Sequence, residues 1–144
     1  MSDVEQAFCD ALDVEHGVIY GYGMVSAHSP FDVNDLVAAA MREHRDRRDA
    51  VIALLGARGV DAPVAAAGYE LPMPVTDPDQ AAELAVRMEN DAAVAWRAVL
   101  ERAETGEDRE LALAALTECA VTAARWNVVR GATPVTETFP GGSE

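Results

Sequence analysis

Proline stands only at positions 30, 63, 72, 74, 78, 134 and 140. Proline lacks a backbone donor and clashes with the preceding turn, so it opens or ends helices and rarely sits inside them. Its placement therefore leaves long uninterrupted stretches before Pro30, between Pro30 and Pro63, and between Pro78 and Pro134. Within those stretches apolar residues recur at helical spacing. They are Val4, Phe8, Leu12, Ile19 and Tyr22 in the first; Leu36, Val37, Met41, Val51, Leu54 and Leu55 in the second; and Leu84, Met88, Trp96 and Val99 in the third. Much of the remainder is alanine, which loses no side-chain entropy in a helix. Thr105-Gly106 divides the last stretch in two. The pattern predicts four helices over about 3–27, 33–58, 78–104 and 107–129.

The boundaries carry their own signals. Ser2-x-x-Glu5 reads as a capping box, and Asp32 is placed to cap the second helix. Asp77 followed by Pro78 reads as cap and first helical residue. Glu107, Asp108 and Glu110 suit the positive end of a fourth helix. Gly59 and Gly131 fit helix stops, and the tail over 131–144, with Pro134, Pro140, Gly141 and Gly142, is expected to lie extended.

Loop lengths then set the topology. Short turns join helices one to two and three to four, which makes each pair an antiparallel hairpin. The segment 59–76 holds Pro63, Gly68, Pro72 and Pro74 and cannot be one long helix. A helix of ~26 residues is ~39 Å long, and about 18 residues of extended chain can cover that distance. Two hairpins tied by one long crossover make an all-α, ferritin-like four-helix bundle. A plain up-and-down bundle would need an oversized loop with no task. At 144 residues one domain is expected.

Charge excludes several partners. There are 25 acidic residues against 11 basic, a formal net charge of -14, and every basic residue is Arg. Such a surface repels a phosphate backbone and an anionic bilayer, so neither nucleic acid nor membrane is expected. No segment reaches the ~20 apolar residues needed to span a bilayer. The start, Met1-Ser2-Asp3-Val4-Glu5, is acidic where a signal peptide is basic, so a cytoplasmic location is expected. Cys9 and Cys119 should then remain reduced, and their heights along their helices do not suit a disulfide.

Several polar residues fall on the apolar faces. Glu15 lies within the first stripe, His44 near the centre of the second with Arg47 and Arg48 beside it, and Glu89 within the third. Glu43 and Glu118 lie at stripe edges. Each stands about 11 or 12 positions into its helix, ~17–18 Å along it, so all come near the bundle middle. A buried carboxylate costs several kcal/mol unless paired or coordinated. One solution is a metal centre, with iron or manganese on candidates Glu15, Glu43, His44, Glu89 and Glu118. Carboxylate-bridged di-metal bundles, however, repeat Glu-x-x-His, and here Asp46 and Val121 stand where the histidines belong. Two guanidinium groups would also repel a dication and pair with its ligands. The charge argument favours a metal-free ion-pair cluster of Glu15 and Glu89 with His44 and Arg47 or Arg48, with no cofactor.

Trp96 and Trp126 read as core aromatics, and His16 and His28 as surface or loop residues. Gly17, Gly21 and Gly23 allow close helix approach, or leave room beside Tyr20 and Tyr22 for a small ligand. No nucleophile elbow, phosphate loop or dinucleotide fingerprint is present.

Several runs are familiar together: Glu15-His16 with Ile19-Tyr20-Gly21-Tyr22-Gly23; Glu43-His44-Arg45 with Arg47-Arg48-Asp49; Leu71-Pro72-Met73-Pro74-Val75 with Thr76-Asp77-Pro78; Ala124-Arg125-Trp126; and Phe139-Pro140-Gly141. Over nearly the whole chain they resemble an actinobacterial ferritin-like domain family of unknown function. The resemblance implies a ferritin-like bundle and a homodimer, and it transfers no activity. Three functional readings follow. The first is a metal-free, non-catalytic protein acting through dimerisation or binding. The second is a redox enzyme with an atypical metal centre on Glu15, His44 and Glu89, and the third a small-molecule binder at Tyr20–Tyr22.

Overall fold

Three of the four helices begin where a side-chain oxygen meets their free N–H groups. The computed structural model describes residues 1–142 and holds α1 (Asp3–His28), α2 (Asn34–Ala57), α3 (Pro78–Arg102) and α4 (Gly106–Arg130). At α1 both halves of the capping box form, Ser2 Oγ accepting from Glu5 N and Glu5 Oε2 from Ser2 N. Asp77 accepts from Gln80 N at the head of α3, with Pro78 next in line. Thr105 accepts from Asp108 N at α4. Asp32 does not cap α2. It sits inside a short 3-10 turn, Phe31–Val33, and α2 starts without a side-chain cap.

Contacts between named residues fix the helix directions. Glu15 meets Trp96 while Tyr22 meets Glu89, so α1 and α3 are antiparallel. Phe8 lies under Arg58 while Glu15 meets His44, so α1 and α2 are antiparallel as well. Glu43 with Thr122, Arg47 with Glu118 and Arg58 with Asp108 set α2 antiparallel to α4. α2 and α3 therefore run parallel, and the segment between them must travel the length of the bundle. It does so over α1. His16 Nε2 bonds the Pro63 carbonyl, Tyr69 packs on Gly17 and Tyr20, and Val75 is buried near α3. This overturns the surface reading of His16, which the crossover covers.

α1 packs against α2 and α3, and α3 against α4. Alanines 81, 82, 85, 92 and 93 on α3 let its neighbours come close. The largest buried side chains are Trp96, Trp126, Tyr22, Phe8 and Leu12. Full burial of one such side chain contributes about 1.5–3 kcal/mol. No helix among the described residues is long and apolar enough to cross a membrane.

The tail is not extended. Through residue 142 it turns back on the bundle; residues 143 and 144 lie outside the described residues. Asn127 Nδ2 donates to the Val135 carbonyl. Gly141 has φ 76°, and a Cβ there would stand 2.6 Å from the Ala93 carbonyl oxygen. Only glycine allows both that backbone and that approach.

Replacing Asp77 by Ala should remove one helix cap, destabilise the fold by about 1 kcal/mol and lower the melting temperature by about 3 °C. Thermal unfolding followed by circular dichroism checks this; an unchanged midpoint would contradict it.

Candidate functional site

Halfway along the bundle the apolar core is interrupted by charge. Glu15 is held inward because Leu12, Phe8 and Tyr22 bury the same face of α1. Glu89 occupies the inner face of α3 between Ala85, Ala92 and Ala93, whose small side chains leave it room. His44 and Arg47, three residues apart, share one face of α2.

The imidazole of His44 bridges the two carboxylates. Nδ1 lies 2.5 Å from Glu15 Oε2 and Nε2 lies 2.6 Å from Glu89 Oε1. Arg47 Nη1 donates to Glu15 Oε1 at 3.0 Å and Nη2 to Glu118 Oε2 at 2.8 Å. Trp96 Nε1 donates to Glu15 Oε1 at 2.8 Å, Tyr22 Oη to Glu89 Oε1 at 2.8 Å, and Trp126 Nε1 to Tyr22 Oη at 3.0 Å. Arg47 Nη1 also lies 3.4 Å from Cys119 Sγ. No buried side-chain nitrogen or oxygen among the described residues lacks a partner.

An imidazole that donates to a carboxylate on each side carries both N–H protons and is a cation. Burial alone pushes its pKa down. The hydrogen bonds and charges of Glu15 and Glu89 overcome that and raise it to about 9. Burial likewise pushes Glu15 up, but His44, then Arg47 and Trp96, hold it below the usual carboxylate value. The four buried ions are two anions and two cations, so the cluster is neutral. Tyr22 is driven well above its ordinary pKa by burial and then by Glu89, and Cys119 by burial first. Both therefore keep their protons. The cluster offers no thiolate, and its two carboxylates are already engaged by hydrogen bonds from His44, Arg47, Trp96 and Tyr22. It joins all four helices, through Glu15 on α1, His44 and Arg47 on α2, Glu89 on α3 and Glu118 on α4.

Away from it lies a groove of about 540 Å³ on the outer side of α4, walled by the tail. Leu113, Leu116, Ala120, Val121, Ala124 and Val128 line its floor. They recur at helical spacing, roughly 150° around α4 from the inward stripe of Ala112, Ala115, Cys119 and Trp126. α4 is thus apolar on two sides.

A family model described as Domain of unknown function (DUF4439) matches residues 7–144. The chain belongs to this family. Among solved structures it is similar to a conserved hypothetical protein, rv2844, from Mycobacterium tuberculosis. The two are 63% identical with a TM-score of 0.89, over 96% of this chain and 97% of that one. No curated protein matches.

In this DUF4439 chain the expected polar residues separate into two groups. Glu15, His44, Arg47 and Glu89 converge. Arg48 does not: it is partly exposed and pairs with its neighbour Asp49 at 2.8 Å, because α2 turns the residue after Arg47 away from the core. Glu43 and Glu118 do not face the two central carboxylates either. Glu43 accepts from Thr122 on the α4 side, and Glu118, its side chain 50% exposed, is reached among the described residues only by Arg47. Sequence reasoning missed Tyr22, Trp96 and Trp126 as polar members of the cluster. Their signal is general: a buried phenol O–H or indole N–H needs an acceptor. The second stripe of α4 was also readable, as a 3.6-residue period offset from the first.

The His44 shift sets a sign. Its folded pKa of about 9 exceeds the unfolded value of 6.5, so its contribution is complete below pH 6.5 and lost as pH rises through about 9. That contribution is on the order of 3 kcal/mol. Glu15, lowered in the fold, contributes above its ordinary pKa of 4.5 and loses this as pH falls through its depressed value. Urea midpoints measured across this range should fall between pH 6.5 and 9. A His44→Leu variant, which leaves two carboxylates without their bridging cation, should lose about 3–5 kcal/mol and that alkaline slope with it.

Proposed function

We propose that the protein is a single-domain, metal-free and non-catalytic bundle on a ferritin-like frame, working through association as a homodimer. The observation that carries the metal-free reading is the double hydrogen bond of His44 to Glu15 and Glu89. A metal at this imidazole would have to displace a proton and break a hydrogen bond to one of the two carboxylates. Arg47 brings a second fixed cation to the same carboxylate. In this reading His44 and Arg47 supply the positive charge that metal ions supply in ferritin relatives.

The alternative of a redox metal centre asks for ligands that the helices direct elsewhere, since Glu43 and Glu118 face the rim and Asp46 is exposed. A ligand site at Tyr20–Tyr22 is opposed by packing. Tyr22 is fully buried within the cluster, and Tyr20 is stacked on Tyr69 at 5.5 Å between ring centroids. Association is supported by the apolar outer side of α4, because a helix facing only water would not repeat Leu, Val and Ala there. Two free, buried cysteines suit a reducing cytoplasm.

Protein purified without chelator should contain no stoichiometric iron or manganese and show no oxidase or peroxidase turnover. It should sediment at twice the 15.3 kDa chain mass. One equivalent of iron or manganese bound at the cluster would overturn the metal-free reading, and a monomer at high concentration would overturn the reading of association.

A further inference from the structure

We infer that the α4–tail groove is the self-association surface, and that a second copy fills it by laying Phe139 on the partner's alanine floor. This rests on the reading that the chain works by associating, and it adds where and how.

A two-fold interface must be self-complementary, with knob and hole on the same face. Both are present. The hole is the stretch of α4 around Ala120 and Ala124, where small side chains leave the groove deep. The knob is Phe139, 67% exposed on the tail segment that supplies the groove's other wall through Val135, Thr136, Glu137 and Pro140. Phe139 thus presents an aromatic ring at the edge of an apolar groove, on a segment anchored at both ends. The anchors are Asn127 to the Val135 carbonyl and Gly141 against Ala93.

Heights along the groove agree. The short α3–α4 turn sets Asn90 of α3 near the level of Thr117 of α4, which lines the groove with it. Ala93 lies about one turn further along α3 and, α3 and α4 being an antiparallel hairpin, at lower numbers on α4. The tail thus descends from the level of residue 127 at Val135 to below 117 at Gly141. Between these anchors Glu137 falls at a level between Ala120 and Arg125, and Phe139 near the level of Ala120. A two-fold axis lying along the groove keeps every height and sets each α4 wall against the partner's tail wall. Phe139 of each copy then meets the alanines of the other.

Charge points the same way. A second copy of a -14 chain is repelled wherever acidic surface meets acidic surface. The groove's only ionic side chains are Arg125 and Glu137, one on each wall. Both are exposed, and among the described residues neither forms an ion pair. The same axis brings each Arg125 to the partner's Glu137, giving two reciprocal pairs at the rim.

The test is charge exchange between copies. Arg125→Glu and Glu137→Arg, each purified alone, should dissociate about tenfold more readily than the parent, since two rim attractions become two repulsions. Mixed in equal amounts they should recover the parent's dimer, because only the mixed pair sets opposite charges together at both positions. Phe139→Ser should weaken the dimer more strongly. Sedimentation reads association, and circular dichroism melts matching the parent show that each variant is folded. A parent dimer that neither charge variant weakens, or that the mixture fails to restore, overturns this surface and leaves association standing. A parent that is monomeric throughout overturns both, and a small apolar molecule found in the groove of that monomer would name its occupant instead.

Discussion

One protonated imidazole between two carboxylates holds the bundle in register. Glu15 and Glu89 sit on different helices, and each would be expensive to bury alone. His44 satisfies both at once, so α1 and α3 can stand with their charged residues level only where α2 supplies the ring. α2 depends on this more than the others. It starts without a side-chain cap, and its buried residues are few: Val37, Ala40, Val51 and Leu55 besides His44 and Arg47. Two central positions of its inner face are thus cationic. Removing the ring would leave α2 docked mainly by its ends, where Leu55 is buried and Arg58 covers Phe8 and pairs with Asp108.

The helices and their order were legible because the restrictions that set them are local. Proline positions, the Ser2–Glu5 box and the Asp77-Pro78 pair act within a few residues, and loop length alone separates a turn from a crossover. The meeting of Glu15, His44, Arg47 and Glu89 was legible as well, because polar residues on an apolar stripe at equal heights have nowhere else to go. What failed depended on neighbours. Arg47 and Arg48 are adjacent, and a rotation of α2 by a fraction of a turn decides which points inward. His16 lies beside Glu15, yet only the path of the crossover buries it. Asp32 has the right chemistry for a cap, but a 3-10 turn displaced the start of α2 past it. The tail's return follows from Gly141 meeting Ala93, a contact between distant parts of the chain.

The frame and its chemistry are separable here. A four-helix bundle with inward carboxylates at mid-height invites a cation, and this sequence provides its own in covalent form. A side-chain cation cannot dissociate, be exchanged or change oxidation state. In the metal-free reading proposed above, the core supplies rigidity and contact with other molecules falls to the surface, where the second apolar stripe of α4 stands out.

The crossover also divides the chain into two halves with opposite electrical demands. The α1–α2 hairpin holds Glu15 against His44 and Arg47, one anion facing two cations. The α3–α4 hairpin brings Glu89 and Glu118. The inner face of the first hairpin is thus complementary in charge to the carboxylates that the second brings. The long connection gives that second half the reach to arrive from the far end. The buried charges balance only when both halves are present, since His44 of the first takes Glu89 of the second.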